Sequence, residues 1–315
     1  MKKIFLAIFF LFSLGAFAQT EKAAMIHNLY GSVQTTYSGQ DTVKLGLALS
    51  GGSARGYAHI GLLQALDDAG VQIDVISGTS MGAIIGVFYA AGFTPKQILN
   101  LVKKERMDNV KHIVKNNHKR DAGFADYRFL RRILYKYMPH NNFDSLAIRF
   151  YCCATDLNNS QPKIVGHGPM LAQFVTASAS IPIVFAPVKI YGITYVDGFL
   201  TNNFPIEPLL EEKCNVTIGS YIKKDTVVTT FKKRNQIWGR IMSLSNMSNT
   251  YDRVPFFDYA CAIDVHGLQA FDFERVDDFF RYGYEAGVQL LKDYPEIKMH
   301  HKKIDENKRH RRPEE

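Results

Sequence analysis

The sequence predicts an α/β protein, a three-layer α/β/α sandwich around a mostly parallel sheet. Three observations lead there. Short apolar runs alternate with helical apolar periodicity from Lys44 to Leu291, the pattern of strands joined by crossover helices. Two of the strand-to-helix junctions are rich in glycine, Gly51-Gly52-Ser53-Ala54-Arg55-Gly56 and Gly78-Thr79-Ser80-Met81-Gly82. A chain of 315 residues is long enough to bury the core such a fold needs.

The elements follow in order. Lys44 to Ser50 reads as a first buried strand, with Leu45, Leu47 and Leu49 set among small residues. The first helix follows the first glycine loop, its apolar face built from Ile60, Leu62, Leu63, Leu66 and Ala69, and Gly70 ends it. Ile73 to Ile76 is a short second strand. The helix Ala83 to Ala91 is apolar nearly all round, so it belongs in the interior, and Gly92 closes it. Thr94-Pro95-Lys96-Gln97 opens a third helix: Thr94 is the N-cap, Pro95 takes the first helical position, and Gln97 completes a capping box. Asp108 to Asp126 is polar and cationic and reads as a loop or mobile cap, with a helix resuming near Tyr127. Ile148 to Thr155 is a strand, as are Lys163 to Val165 and Val188 to Val196, with a helix near Met170 to Ser178 between these two. Val216 to Tyr221 is another strand, and Gln236 to Ser248 and Val276 to Leu291 read as helices. No repeat and no second folded domain are visible. The domain spans residues 43–295, behind a polar leader at 19–42 and ahead of a basic tail at 296–315.

The first residues carry an address. Lys2 and Lys3 precede a 14-residue apolar stretch, Ile4 to Phe17, and Ala16-Phe17-Ala18 is a small-residue cleavage signal. Residues 1–18 therefore read as a secretory signal peptide, with a mature start at Gln19. The apolar stretch is short for a membrane span, and the mature chain is expected in the periplasm or outside the cell, soluble or peripheral on a membrane. The formal charge is +8. Basic residues gather from Lys103 to Arg120 and from Lys298 to Arg312. Such surfaces attract anionic lipid, whereas nucleic acid is not a partner that a secreted chain meets. Cys152, Cys153, Cys214 and Cys261 have no zinc spacing and read as buried free thiols. No metal cluster and no Walker A lysine after Gly56 are visible, so neither a metal nor a nucleotide cofactor is expected.

The chemistry concentrates at the two glycine loops. The second, Gly78 to Gly82, is a G-x-S-x-G nucleophile elbow: its glycines allow the sharp turn from strand to helix that projects Ser80. The first offers backbone N–H groups at a helix start, where they can hold a developing oxyanion. A third element, Tyr195-Val196-Asp197-Gly198, puts a carboxylate at a strand end, with Gly198 allowing the next turn. Together they point to acyl transfer through a serine.

In this order the three elements resemble the patatin-like phospholipase family, whose pattern is a Gly-Gly-Gly-x-Lys/Arg-Gly loop, a G-x-S-x-G serine and an Asp-Gly. Ser178-Ala179-Ser180-Ile181-Pro182 and Ala154-Thr155-Asp156-Leu157-Asn158 look like internal blocks of the same family. The resemblance runs from Val43 to Tyr294. It implies a patatin-like fold, hydrolysis of lipid carboxylic esters, and a Ser80–Asp197 dyad without histidine, Asp197 taking the serine proton. It places the oxyanion loop at Gly51, Gly52, Ser53, Arg55 and Gly56, with the N–H groups of Gly52 and Ser53 as donors, and implies no calcium requirement. One departure is visible: Ser53 stands where the family usually has a third glycine, and serine tolerates positive φ poorly. Arg55 reads as fixing the loop or meeting a lipid phosphate. Asp156 and Asn158 read either as pocket residues or as a strand-end turn. Two other readings stay open. Ser80, Asp197 and His266 follow the chain order of an α/β-hydrolase triad, and His59 is a further candidate base. A catalytically silent lipid-binding protein, its oxyanion loop spoiled at Ser53, is the other.

Overall fold

The computed structural model describes residues 43–109, 127–223 and 249–298. It contains an eight-stranded mixed sheet flanked by helices. Five parallel strands form its centre, in the order β3-β2-β1-β7-β8: β3 Arg149–Asp156, β2 Val75–Thr79, β1 Leu45–Leu49, β7 Val216–Ile222 and β8 Tyr259–Ile263. Antiparallel strands β4 Gln161–Val165 and β6 Ile193–Asp197 join β3, and β5 Val188–Ile190 continues beyond β6.

The side-chain alternation of β1 divides the interior. Leu45, Leu47 and Leu49 enter a large apolar cluster together with α1 Ala58–Asp68, α2 Met81–Ala90 and α7 Val276–Asp293. Ala48 enters a smaller cluster on the opposite face, with Val75, Tyr151, Phe204, Leu209 and Phe257. The short helix α6 Glu207–Glu211 covers that face. The two clusters and the sheet are the three layers expected. Helices α1 and α7 cross in close contact, because Gly61 and Gly283 leave room for backbone against backbone; a Cβ on either would strike a main-chain carbonyl of the other helix.

Helix α3 Pro95–Lys104 has the predicted capping box: the Gln97 N–H donates to Thr94 Oγ1 at 3.2 Å, and the Thr94 N–H donates to Gln97 Oε1 at 2.8 Å. Helix α4 Arg128–Tyr137 and helix α5 Leu171–Ser178 lie where helices were expected. Residues 188–196, read as one strand, form a hairpin instead. Ile190 pairs with Ile193 across Tyr191 and Gly192, whose φ values of 49° and 85° make the tight two-residue turn. Strand β8 and helix α6 went unread. The expected helix at 236–248, the leader at 19–42 and most of the cationic segment 108–126 lie outside the described residues. All four cysteines are free, and three are buried.

Candidate active site

Parallel strands bring their carboxyl ends to one edge of a sheet, and the site is built there. Strand β2 ends at Thr79, α2 starts at Met81, and Ser80 makes the turn alone with φ 56° and ψ −124°. That strained backbone is what an elbow demands of its nucleophile. Gly82 permits it: a Cβ there would strike the Leu49 carbonyl, and Gly78 is likewise pressed against the Gly82 main chain.

Asp197, the last residue of β6, faces Ser80 from 117 positions away. Ser80 Oγ donates to Asp197 Oδ2 at 2.7 Å, and the Phe199 N–H donates to Oδ1 at 3.0 Å. Asp197 is 0% exposed and Ser80 5%. Burial raises the Asp197 carboxyl to about 7, against the two hydrogen bonds that pull it down. A carboxylate that titrates near neutrality is, in its ionised form, a far stronger base than an exposed one. Gly198 lets β6 pass close against the Cys153 carbonyl.

The first glycine loop lies against this turn. Gly51 sits between Ser80 Cβ and the side-chain carbonyl of Asn203, with no room for a methyl group. Its N–H donates to the Asn203 main-chain carbonyl at 3.3 Å, which removes it from the candidate oxyanion donors. The N–H groups of Gly52 and Ser53 have no partner among the described residues. Ser53 has φ 54°, the region its predicted departure from glycine made costly, and it opens a 3-10 turn, Ser53–Tyr57. Arg55 lies in that turn with its Nε 3.5 Å from the Gly52 carbonyl, the loop-fixing arrangement. Gly56 rests on Met81, which docks the loop on the start of α2.

His59 holds the loop from below. Its Nε2 is 2.9 Å from the Ser50 carbonyl, and its Nδ1 is 2.9 Å from Ser220 Oγ. A carbonyl only accepts, so Nε2 carries the proton and the Ser220 hydroxyl donates to Nδ1. Burial lowers this imidazole to about 4, against the bond to Ser50. Both of its nitrogens are occupied, so it is not placed as a base. His266 is remote in chemistry as well: its ring packs against Tyr282, its side chain is 62% exposed, and its N–H bonds Asp264. The triad order of Ser80, Asp197 and His266 is not matched by a triad geometry. Asp156 and Asn158 are turn residues: Asp156 Oδ1 accepts the Asn158 N–H at 2.8 Å, and Asn158 Oδ1 accepts the Thr194 N–H at 2.9 Å.

Residues that sequence reading gave no role complete the site. Ser178, the last residue of α5, accepts the Ser80 N–H on its Oγ at 3.0 Å and donates to the Cys153 carbonyl at 2.6 Å. Two residues on, the Ser180 carbonyl accepts the Asp197 N–H at 2.9 Å. One helix end therefore fixes the main chain of both Ser80 and Asp197. Thr155 Oγ1 adds a bond to the Asp197 carbonyl at 2.9 Å. The small-residue run Ser178-Ala179-Ser180 was the available signal. Among the described residues no histidine, cysteine and carboxylate group gathers as a metal site.

The patatin-like phospholipase family model matches residues 47–210. Lysophospholipase NTE1 of Kluyveromyces lactis is 23% identical over 300 residues, which cover 86% of this chain and 20% of that protein. Lysophospholipase NTE1 of Pyricularia oryzae is 30% identical over 276 residues, covering 78% of this chain and 18% of that protein. The chain thus spans no more than 20% of the length of these relatives in the matched region. The crystal structure of VipD from Legionella pneumophila is similar over 80% of this chain and 67% of that one, with a TM-score of 0.46 and 16% identity.

Proposed function

Because this chain belongs to the patatin-like phospholipase family, we propose that it is a serine acyl-hydrolase that cleaves lipid carboxylic esters of the phospholipid or lysophospholipid class. The observation that carries the reading is the 2.7 Å bond from Ser80 Oγ to a buried Asp197, beside two unpartnered loop N–H groups. Ser80 Oγ attacks the acyl carbon while its proton passes to Asp197 Oδ2. The carbonyl oxygen becomes an oxyanion held by the N–H groups of Gly52 and Ser53, where one donor is typically worth roughly 3 kcal/mol of barrier lowering. As the intermediate collapses, the leaving alkoxide takes the proton from Asp197. Water then gives its proton to Asp197 and attacks the acyl-serine, and the released serine recovers that proton. Each step needs Asp197 alternately ionised and protonated, which a carboxyl titrating near neutrality does well.

A small apolar cleft of about 10 Å³, too narrow for an acyl chain unless its walls move apart, is lined by Met81, the residue after Ser80, with Tyr57, Ile84, Tyr127, Leu130 and Phe273. The NTE1 relatives, named lysophospholipases, favour lysophospholipid among the candidate substrates. The mature protein, cleaved after Ala18, acts beyond the inner membrane and meets lipid through its basic residues, those between Lys103 and Arg120 foremost. Fatty-acid release from lysophosphatidylcholine and from phosphatidylglycerol vesicles, measured by mass spectrometry, tests the proposal. The wild type releases fatty acid from at least one, and Ser80→Ala releases none. An inactive wild type on both, with no reaction at Ser80 toward a fluorophosphonate, favours the silent lipid-binding protein.

A further inference from the structure

Ser53 carries two unfavourable features at once. Its backbone sits at φ 54°, a conformation open to glycine and strained for serine. Its hydroxyl is buried with no hydrogen-bond partner, one of four such buried side-chain atoms among the described residues. A second of the four, Asn203 Oδ1, faces Gly51 on the same loop. Buried polar groups are nearly always paired, so an unpaired one calls for a reason. Glycine at position 53 would remove both features and keep the main-chain N–H.

We propose that the Ser53 hydroxyl is a third hydrogen-bond donor to the substrate's acyl oxygen, beside the N–H groups of Gly52 and Ser53. This rests on the serine acyl-hydrolase reading above. The hydroxyl is borne by the residue whose unpartnered N–H the acyl-hydrolase reading assigns to that task, and a serine Oγ lies close to its own main-chain nitrogen. An O–H rotor is free to turn toward an incoming oxygen. As the carbonyl becomes an oxyanion, the bond becomes charge-assisted and strengthens, so the hydroxyl acts mainly in the transition state.

Opposite signs make the proposal testable. Ser53→Gly relieves the strained φ and removes the orphan hydroxyl, so its melting temperature rises, by about 2 °C for a chain of this size. Its kcat on a soluble carboxylic ester nonetheless falls by about a hundredfold, the lower edge of what one oxyanion donor contributes, with KM little changed. Ser53→Ala loses the same factor in kcat without relief of the backbone. Binding of an alkyl trifluoromethyl ketone, whose hemiketal oxygen mimics the oxyanion, weakens by the same factor in both variants. A Ser53→Gly protein that is more stable and as active as the wild type overturns the proposal while leaving the acyl-hydrolase intact. Loss in Ser53→Ala without loss in Ser53→Gly also overturns it, because the hydroxyl is then not the cause. A wild type that neither turns over the ester nor binds the ketone overturns the enzyme reading and this one with it.

Discussion

Replacing Asp197 by asparagine should abolish activity and stabilise the protein in the same step. Asp197 is fully buried, and burial raises its carboxyl from the ordinary 3.8 to about 7. A carboxyl raised on folding binds its proton more tightly in the native state. Its contribution to stability is therefore fully present below pH 3.8 and is lost as pH rises toward 7. At about 1.36 kcal/mol for each tenfold change in proton affinity, the loss reaches roughly 4 kcal/mol at about pH 8. Asparagine has the shape of the protonated acid and never ionises, so it escapes this loss. Asp197→Asn should melt about 6 °C above the wild type at about pH 8, from a typical unfolding entropy per residue. The advantage should shrink to roughly 1 kcal/mol near about pH 4.5. Ester hydrolysis should fall by a factor of roughly 10³ or more, since the base is gone. Thermal melts of both proteins across this pH range, with kcat/KM on a soluble ester, make the comparison. An Asp197→Asn protein less stable than the wild type at the alkaline end, or one with an advantage independent of pH, would refute the reasoning about a strained buried charge.

Other outcomes follow from the same geometry. Ser178→Ala frees the Ser80 N–H and loosens the bond that holds Asp197 below its fully desolvated value. Its kcat should fall about tenfold with KM unchanged, and the acid limb of its pH–rate profile should move upward, whereas Ser178→Cys should recover part of both. Loss of fold stability alone, with an unmoved limb, would make Ser178 merely structural. His59 is lowered from 6.5 to about 4 on folding, so its stabilising effect is present above pH 6.5 and lost as pH falls toward 4. His59→Ala, which strands the Ser50 carbonyl and the Ser220 hydroxyl, should cost roughly 2–4 kcal/mol at about pH 7.5. Its stability should also vary less with pH than that of the wild type across the acid range, as denaturant melts will report. In the native host, intact-mass measurement should find the mature chain starting at Gln19; a chain that keeps Met1 would contradict secretion by cleavage.

Much of this site is written locally. The two glycine loops, the strand before each and the helix after each could be read because turn, strand and helix signals there agree over a few residues. The Thr94 capping box was legible for the same reason. What failed was long-range or weakly coded. Tyr191-Gly192 turns a hairpin inside a continuous run of β-formers, and a Tyr-Gly pair is a poorer turn signal than Asn-Gly. Strand β8, Tyr-Ala-Cys-Ala-Ile, is short, rich in small residues, and gains its place by pairing with β7. Ser178 lies 98 residues from Ser80, and the small-residue run around it marks the segment without giving its hydroxyl a partner. Asp197 was picked out as a strand-end carboxylate accompanying the two glycine loops, but its role as base came from the family resemblance, since a strand-end Asp-Gly alone is more often a simple turn. His59 shows the converse: a histidine near the active serine in sequence proves to be a neutral prop whose two nitrogens are occupied.

The central claim is that Ser80 takes the acyl group with Asp197 as its base and with no histidine in the relay. Acid quenching of the purified protein in the first turnovers of lysophosphatidylcholine, followed by peptide mass spectrometry, tests it most directly. The account predicts an acyl adduct on the peptide that carries Ser80, absent from Ser80→Ala, strongly diminished in Asp197→Asn, and undiminished in His266→Ala. An adduct on another residue, or its loss from a folded His266→Ala protein, would contradict it.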